Sequence, residues 1–135
     1  MELQETSYQI QGVDLLNVAN EFGSPVYVYD ADKIVKQYKK LCNAFEGVDL
    51  KIKYACKALT NINILKLLRQ QGCGLDTVSI QEVLLGLEAG FEPSEILYTP
   101  NCVSFEEIQK AVDVGVQINI DNISILEQFG NEYGS

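Results

Sequence analysis

Gly74-Leu-Asp-Thr-Val-Ser-Ile-Gln-Glu-Val-Leu-Leu-Gly-Leu-Glu-Ala-Gly90 decides the fold, because it holds one complete strand and helix unit. The apolar run Gly74–Val78 predicts a buried strand, and apolar residues recur at helical spacing between residues 83 and 87. Ser79 and Glu82 match a capping box, in which a hydroxyl and a carboxylate satisfy the first free amides of a helix. Gly90 lies where the helix needs a left-handed residue to end.

The same unit repeats along the second half of the chain. Four apolar, β-rich runs predict its strands: Lys51–Cys56, Gly74–Val78, Ile96–Thr99 and Val116–Ile120. Segments with helical periodicity follow the runs, and a glycine is predicted to end each helix: Gly72, Gly90, Gly115 and Gly130. Ser104 and Glu107 form a second predicted capping box.

The first half of the chain contains two more predicted helices. Leu15–Phe22 is predicted to be a short helix that Gly23 ends, and Pro25–Tyr29 is a β-rich segment. Asp30 is predicted to cap a longer helix, with an apolar stripe that suits packing against a sheet: Ile34, Tyr38, Leu41 and Phe45. No linker divides the chain, so we expect one domain over residues 1–135.

Repeated units of this kind predict an α/β fold with a parallel sheet and right-handed crossovers. A doubly wound sheet usually has a glycine-rich turn after its first strand, whereas Lys57–Asn61 occupies that position here. The near-constant repeat favours a (β/α)8 TIM-type barrel. A complete barrel has eight units and typically about 250 residues. We therefore expect the first half of a barrel, truncated after about four βα units.

Composition excludes several classes of function. The chain has 135 residues, of which 47% are hydrophobic, and a net charge of −9. Such a charge disfavours nucleic acid and anionic membranes as partners, and no signal peptide or membrane span is apparent, so we expect a cytoplasmic protein. The chain has no histidine, and its four cysteines have no C-x-x-C spacing, so we expect no metal site and mostly buried thiols.

Polar side chains follow the predicted strands at one rim, where ligands bind in parallel βα folds. Lys57 comes directly after the first strand. Desolvation at a barrel mouth would lower the pKa of its ammonium, and a neutral lysine amine can form a Schiff base with a carbonyl compound or pyridoxal phosphate. The alternative is a solvated lysine at the end of a strand.

The other rim residues each have two interpretations. Asp76 either exchanges a proton with the Lys57 amine or bonds backbone amides ahead of the next helix. Glu82 is interpreted as a capping residue rather than a catalyst, and Asn101 as a turn or cap residue. Tyr54 is expected to belong to the core.

Several ordered motifs resemble the barrel domain of diaminopimelate decarboxylases, which are pyridoxal-phosphate enzymes of the alanine-racemase-like fold type. These motifs are Gly23-Ser-Pro-Val-Tyr-Val-Tyr-Asp30, Tyr54-Ala-Cys-Lys-Ala58, Gly74-Leu-Asp-Thr-Val-Ser79, Ile96-Leu-Tyr-Thr-Pro-Asn-Cys102 and Ile118-Asn-Ile-Asp121. The resemblance covers nearly the whole chain. One departure is that the family commonly has asparagine directly after Ala58, whereas here it is Asn61.

The resemblance implies roles for individual residues. Lys57 would be the lysine that carries pyridoxal 5'-phosphate, and Asp76 would lie near the lysine and the cofactor. Glu82 would support the site from farther away, and Asn101 is a further rim candidate. The implied reaction converts meso-2,6-diaminopimelate, a small amino-acid substrate, to L-lysine and carbon dioxide in lysine biosynthesis.

Several parts of the family enzyme are not in this sequence: the histidine that stacks on the cofactor, the glycine-rich phosphate loops, the second half of the barrel and a C-terminal β domain. We therefore expect the 135-residue chain alone to be inactive. The resemblance also implies that the full-length protein is a homodimer, as members of this family commonly are. Two alternatives to the decarboxylase stay open. The first is a non-catalytic carrier of pyridoxal phosphate, and the second is a βα scaffold or interaction domain in which Lys57 is a surface cation.

Overall fold

The computed structural model describes residues 2–4 and 7–134 and consists of two sheets and six α-helices in those ranges. The strands are β1 (Glu2–Gln4), β2 (Ser7–Ile10), β3 (Val13–Asp14), β4 (Lys53–Ala55), β5 (Gly74–Thr77), β6 (Ile96–Tyr98) and β7 (Gln117–Ile118). The helices are α1 (Leu15–Phe22), α2 (Ala31–Ala44), α3 (Ile62–Gln70), α4 (Ile80–Glu88), α5 (Phe105–Val114) and α6 (Ile123–Tyr133). Short 3-10 turns cover Cys56–Ala58 and Pro93–Glu95.

The larger sheet is parallel throughout and has the strand order β4-β5-β6-β7. A helix follows each strand, as the repeated units predict. All four strands lie within their predicted runs and are shorter, because each run also includes residues of the adjoining loops. Strands β4 and β7 are the two edges of this sheet, and no other strand of the described residues pairs with their outer sides.

The two faces of the parallel sheet differ in burial. On the face toward the helices, four side chains are fully buried: Leu75, Thr77, Ile96 and Tyr98. On the opposite face, here called the inner face, Ala55, Asp76 and Leu97 lie side by side and are partly exposed. The alternation of side chains along a strand therefore places the core on one side and the candidate site on the other.

Helix α4 approaches the sheet through Gly86, which is buried. A β-carbon at this position would lie 2.6 Å from Leu75 Cδ2 and 3.1 Å from Ile96 Cδ1. Helix α5 completes this layer with the buried residues Ile108 and Ala111. The close packing of α4 against β5 and β6 is therefore possible because glycine has no side chain at position 86.

Four of the five glycines predicted to end helices do so, including Gly23, which is the C-cap of α1. Gly72, Gly90 and Gly115 have φ angles of 86°, 96° and 83°, the left-handed conformation that closes a helix. The prediction for Gly130 was wrong, because α6 continues through it to Tyr133. The rings of Phe129 and Tyr133, with centroids 5.0 Å apart, pack across this glycine.

Both predicted N-terminal helices are confirmed. Helix α2 begins after Asp30, whose carboxylate accepts hydrogen bonds from the Lys33 amide at 3.0 Å and from Gln11 Nε2 at 2.6 Å. These bonds, with the amide bond the larger cause, lower the pKa of Asp30 below its usual 3.8. The bond from Gln11 also joins the β2–β3 turn to the start of α2.

Two features near the N-terminus differ from the prediction. The antiparallel sheet β1-β2-β3 was not predicted, since its strands have only two to four residues, too few for a clear pattern. The segment Pro25–Tyr29 forms no strand, because no neighbouring strand lies beside it to supply hydrogen bonds. Its side chains are exposed, with Tyr27 at 88%.

The apolar stripe of α2 faces the sheet but is not buried. Ile34 and Tyr38 are half-buried, while Leu41 and Phe45 are exposed. Helix α2 contacts α3, and a cavity of about 760 Å³ lies between α2, β4 and α3. We call this cavity the α2 groove.

The four cysteines are free thiols. Cys56 and Cys73 are buried, Cys42 is half-buried and Cys102 is exposed, so the expectation of mostly buried thiols holds for two of them. Burial raises the pKa of Cys56 to about 11 and raises the pKa of Cys73 as well.

Candidate functional site

Lys57 lies in the 3-10 turn that follows β4, at the carboxyl end of the parallel sheet. Cys56, fully buried, anchors this turn in the core, and the Leu59 amide donates to the Cys56 carbonyl at 3.0 Å. The Lys57 side chain is exposed. Among residues 2–4 and 7–134, the one ion pair joins Arg69 to Glu95. The Lys57 ammonium therefore forms no ion pair with these residues.

The expected desolvation of Lys57 is not provided by this chain. The turn projects beyond the last residue of β4, and β4 is an edge strand, so solvent reaches the side chain. The prediction that Lys57 lies at the carboxyl rim is confirmed, whereas the prediction of a partly dry environment is wrong for these 135 residues.

Asp76 lies on the inner face of β5, directly opposite Ala55 of β4 and Leu97 of β6. Its Oδ1 accepts a hydrogen bond of 2.7 Å from the Thr99 hydroxyl. This short contact to a carboxylate is of the strong, charge-assisted kind. Asp76 therefore holds a fixed position in the sheet instead of bonding amides ahead of α4.

Thr99 is positioned by its own backbone, because its amide donates to the Thr77 carbonyl at 2.8 Å. The Thr99 hydroxyl also lies 3.2 Å from that carbonyl. Since the hydroxyl has one proton and the carbonyl already accepts an amide, the shorter contact to Asp76 takes the proton. The sequence places Thr99 at the end of a predicted strand, on the same rim as Asp76, but it does not predict the hydrogen bond between them.

Lys57 and Asp76 lie on neighbouring strands at the same end of the sheet. Asp76 is in register with Ala55, two residues before Lys57, and the turn that carries Lys57 contacts β5. No ion pair joins the two side chains in the described part of the chain. An amine and a carboxylate are thus both available to a third group at this rim.

Glu82 acts as a capping residue, as expected. Its carboxylate accepts from the amide of Val78, whereas in a capping box it would accept from the amide of the N-cap residue, Ser79. Its Oε2 accepts a hydrogen bond of 2.8 Å from the Val78 amide, and the Ser79 hydroxyl accepts one of 3.2 Å from the Glu82 amide. Val78 follows the last residue of β5, so its amide has no ladder partner on the strand. Glu82 therefore stabilises the turn that carries β5 into α4.

Asn101 lies in the exposed loop after β6. Its Oδ1 is 3.0 Å from the Cys102 thiol, and the structure gives it no contact with Lys57 or Asp76. Asn61, the displaced asparagine of the lysine motif, caps α3 by accepting hydrogen bonds from the Asn63 and Ile64 amides. Its location three residues after Ala58 is thus explained by helix capping.

Tyr54 belongs to the core, as predicted. It is half-buried, packs against the buried cluster and donates to the Leu59 carbonyl at 3.4 Å. Burial raises the pKa of its hydroxyl. Tyr54 therefore supports the turn that carries Lys57.

Residues 31–135 match the family described as pyridoxal-dependent decarboxylase, pyridoxal binding domain. The chain belongs to this family. Its relatives include a diaminopimelate decarboxylase of Methanothermobacter thermautotrophicus, 44% identical over 119 residues, which are 87% of this chain and 28% of the relative. The chain thus spans less than a third of the length of this relative.

Solved structures of the decarboxylase family share the fold. The crystal structure of a Methanocaldococcus jannaschii diaminopimelate decarboxylase in complex with L-lysine aligns with a TM-score of 0.89 and 29% identity, over 99% of this chain and 33% of that one. A lysine/ornithine decarboxylase of Vibrio vulnificus in complex with putrescine aligns with a TM-score of 0.78 and 28% identity, over 87% of this chain and 32% of that one. The parallel sheet is therefore part of a decarboxylase barrel, which confirms the predicted fold class.

Family membership implies pyridoxal 5'-phosphate as the cofactor of this decarboxylase domain. The residues present fit the aldehyde end of that cofactor, because Lys57 offers a primary amine and Asp76 offers a fixed carboxylate on the neighbouring strand at the same rim. In residues 2–4 and 7–134 no helix is long and apolar enough to cross a membrane.

Proposed function

We propose that this chain is the N-terminal part of a pyridoxal-phosphate-dependent diaminopimelate decarboxylase. The whole protein would convert meso-2,6-diaminopimelate to L-lysine and carbon dioxide, as a cytoplasmic enzyme of lysine biosynthesis. The observation that carries the proposal is the placement of Lys57 and Asp76 at one rim of a pyridoxal-binding domain.

In this proposal Lys57 Nζ binds the cofactor and exchanges protons at the reacting carbon. Asp76, held by the Thr99 hydroxyl, orients the group that Lys57 holds and stabilises positive charge beside it. Glu82 is a positioning residue that fixes the β5–α4 turn, and Asn101 is a second-tier candidate in the exposed loop after β6. When bound, pyridoxal phosphate supplies the electron sink for the carbanion that decarboxylation leaves.

The exposure of Lys57 supports a second part of the proposal, that residues 1–135 form a partial domain without decarboxylase activity. Lys57 is exposed beside an edge strand, so these residues do not enclose a substrate or exclude water at this rim. The remaining barrel strands and the C-terminal β domain of a homodimeric whole protein would cover this rim.

Borohydride reduction in the presence of pyridoxal phosphate, followed by peptide mass mapping, tests the cofactor site. We expect a reduced pyridoxyl group on the Lys57 peptide of the 135-residue chain, lost in Lys57→Ala and retained in the control Lys66→Ala. Thr99→Val should lower the yield at Lys57 without unfolding the chain, because it releases Asp76. Labelling spread evenly over exposed lysines would instead favour a βα scaffold.

Release of carbon dioxide from carboxyl-labelled meso-2,6-diaminopimelate tests the reaction. The 135-residue chain should give no release above background even with pyridoxal phosphate bound, and turnover by it would refute the partial-domain proposal. A chain extended through the following reading frame should release carbon dioxide, and Lys57→Ala in that chain should abolish it. An inactive extended chain that still binds the cofactor would indicate a carrier.

A further inference from the structure

Asn119 is a polar residue at the carboxyl end of β7. Its amide donates to the Tyr98 carbonyl at 2.8 Å, so the ladder between β6 and β7 continues past Ile118. Because Tyr98 is in register with Ile118, the next residues in register are Thr99 and Asn119. Asparagine has a low β-propensity, so strand formation alone does not explain its presence in this ladder.

The side chain of Asn119 lies on the inner face of the sheet. Its two neighbours, Ile118 and Ile120, both pack against the buried cluster on the helix side. Since successive side chains of a strand point to opposite faces, Asn119 points to the inner face, as Thr99 does on β6. Thr99 in turn bonds Asp76, so Asn119 extends a row of polar side chains across β5, β6 and β7.

The usual structural role of an asparagine between a strand and a helix is already filled. Asn122 is the N-cap of α6, and its Oδ1 accepts a hydrogen bond of 2.9 Å from the Ile125 amide. Asn119 lies three residues earlier and takes no part in this cap, and its side chain is exposed. Its carboxamide therefore presents a donor and an acceptor to the ligand side of the rim.

The carboxyl ends of β4 and β7 face each other across the barrel mouth. In the strand order β4-β5-β6-β7, β7 lies three positions from β4. In a ring of eight strands, strands three positions apart stand nearly opposite each other, so their inward side chains approach one central ligand. Three spacings of about 4.8 Å make about 14 Å along the sheet, and the distance across the ring is shorter. Lys57 and Asn119 can thus contact the same ligand from opposite walls.

The charge at this rim indicates which end of pyridoxal phosphate these residues meet. Asp76 carries a carboxylate that Thr99 holds in place, so a phosphate group beside it would be repelled. The aldehyde end instead carries a ring hydroxyl next to the aldehyde group. An uncharged donor such as the Asn119 carboxamide suits that oxygen.

We propose that Asn119 is a further binding residue of this site, whose Nδ2 donates a hydrogen bond to the ring oxygen next to the aldehyde of pyridoxal phosphate. The inference rests on the proposed function, because it takes Lys57 as the residue that binds the aldehyde. Asn119 then orients the ring from the wall opposite Lys57, with Asp76 and Thr99 between them.

An absorbance titration of the 135-residue chain with pyridoxal phosphate tests this contact. Asn119→Ala should bind the cofactor about three- to tenfold more weakly, which corresponds to the loss of one neutral hydrogen bond. Asn119→Asp has the same shape but turns a carboxylate toward the ring oxygen, so it should bind more weakly still. For the analogue that lacks the ring hydroxyl, Asn119→Ala and the unaltered chain should have equal affinity, because the lost contact is then absent from both. Equal affinity of the two for pyridoxal phosphate itself overturns the inference, as does the same loss with the analogue.

Control variants separate this contact from folding and from the proposed function. Asn131→Ala removes an exposed asparagine of α6 and should leave the affinity unchanged, and circular dichroism should show that every variant is folded. Borohydride mapping of Lys57→Ala, measured in parallel, identifies which proposal fails. Loss of binding in Lys57→Ala with full binding in Asn119→Ala overturns this inference alone, whereas full binding in Lys57→Ala overturns the proposed function and this inference with it.

Discussion

Two helical glycines provide a matched test of how closely α4 approaches the sheet. Gly86 lies in α4 and Gly130 in α6, and we expect alanine to have opposite effects at the two positions. In Gly130→Ala the new methyl group meets no atom within 4 Å, so the higher helix propensity of alanine should stabilise the chain by about 1 kcal/mol. This gain is the same at both positions.

At Gly86 the methyl group would lie 2.6 Å from Leu75 Cδ2, about 1 Å short of a normal carbon–carbon contact of about 3.5–4.0 Å. Overpacking of this kind costs about 1–3 kcal/mol. Gly86→Ala should therefore destabilise the chain by up to about 2 kcal/mol after the propensity gain is subtracted. The difference between the two variants should be about 1–3 kcal/mol.

Urea titrations of both variants and the unaltered chain, followed by circular dichroism, give the free energies of unfolding. Thermal midpoints should change by roughly 3–5 °C per kcal/mol for a chain of this size. If both alanines stabilise the chain equally, α4 does not lie against β5 and β6 as described, and the reasoning from Gly86 is refuted. Titrations at several protein concentrations separate this effect from association.

Three further predictions concern the α3 cap and the thiols. Asn61→Ala should lower the free energy of unfolding by about 1 kcal/mol through loss of the α3 cap, while Lys66→Ala, on the exposed side of α3, should change it little in the same urea titration. Iodoacetamide should modify the exposed Cys102 before the buried Cys56 and Cys73, in an order that peptide mass mapping reports; equal rates would contradict the described core. Burial raises the pKa of Cys56 from 9.0 to about 11. Above pH 9 the unfolded chain therefore releases the thiol proton while the folded chain retains it. The free energy of unfolding should then fall by about 1 kcal/mol per pH unit between pH 9 and about pH 11. Unfolding measured at several pH values should show a weaker fall in Cys56→Ala and an unchanged fall in Cys102→Ala.

The parallel half of the fold could be predicted because its signals are local. Each unit of Gly74–Gly90 type contains its own strand, cap and glycine stop within about twenty residues. Gly130 shows the limit of such signals, since a glycine weakens a helix by only about 1 kcal/mol and the contact between Phe129 and Tyr133 continues α6 past it.

The candidate site was only partly predictable, because its geometry depends on distant residues. The location of Lys57 at the rim follows from its place after a strand. The bond between Asp76 and Thr99 joins residues 23 positions apart and exists only once β5 and β6 pair. The exposure of Lys57 corresponds to the alternative that the sequence left open, a solvated lysine at the end of a strand, because the pattern alone did not decide between the two interpretations.

Lys53 lies at the opposite end of the inner face from Lys57. Its aliphatic chain crosses Gly74, and its Nζ donates to the Glu95 carbonyl at 3.0 Å, so one side chain spans the beginnings of three strands. This bridge covers the amino-terminal end of the inner face and ties β4, β5 and β6 together at the end of the sheet away from Lys57.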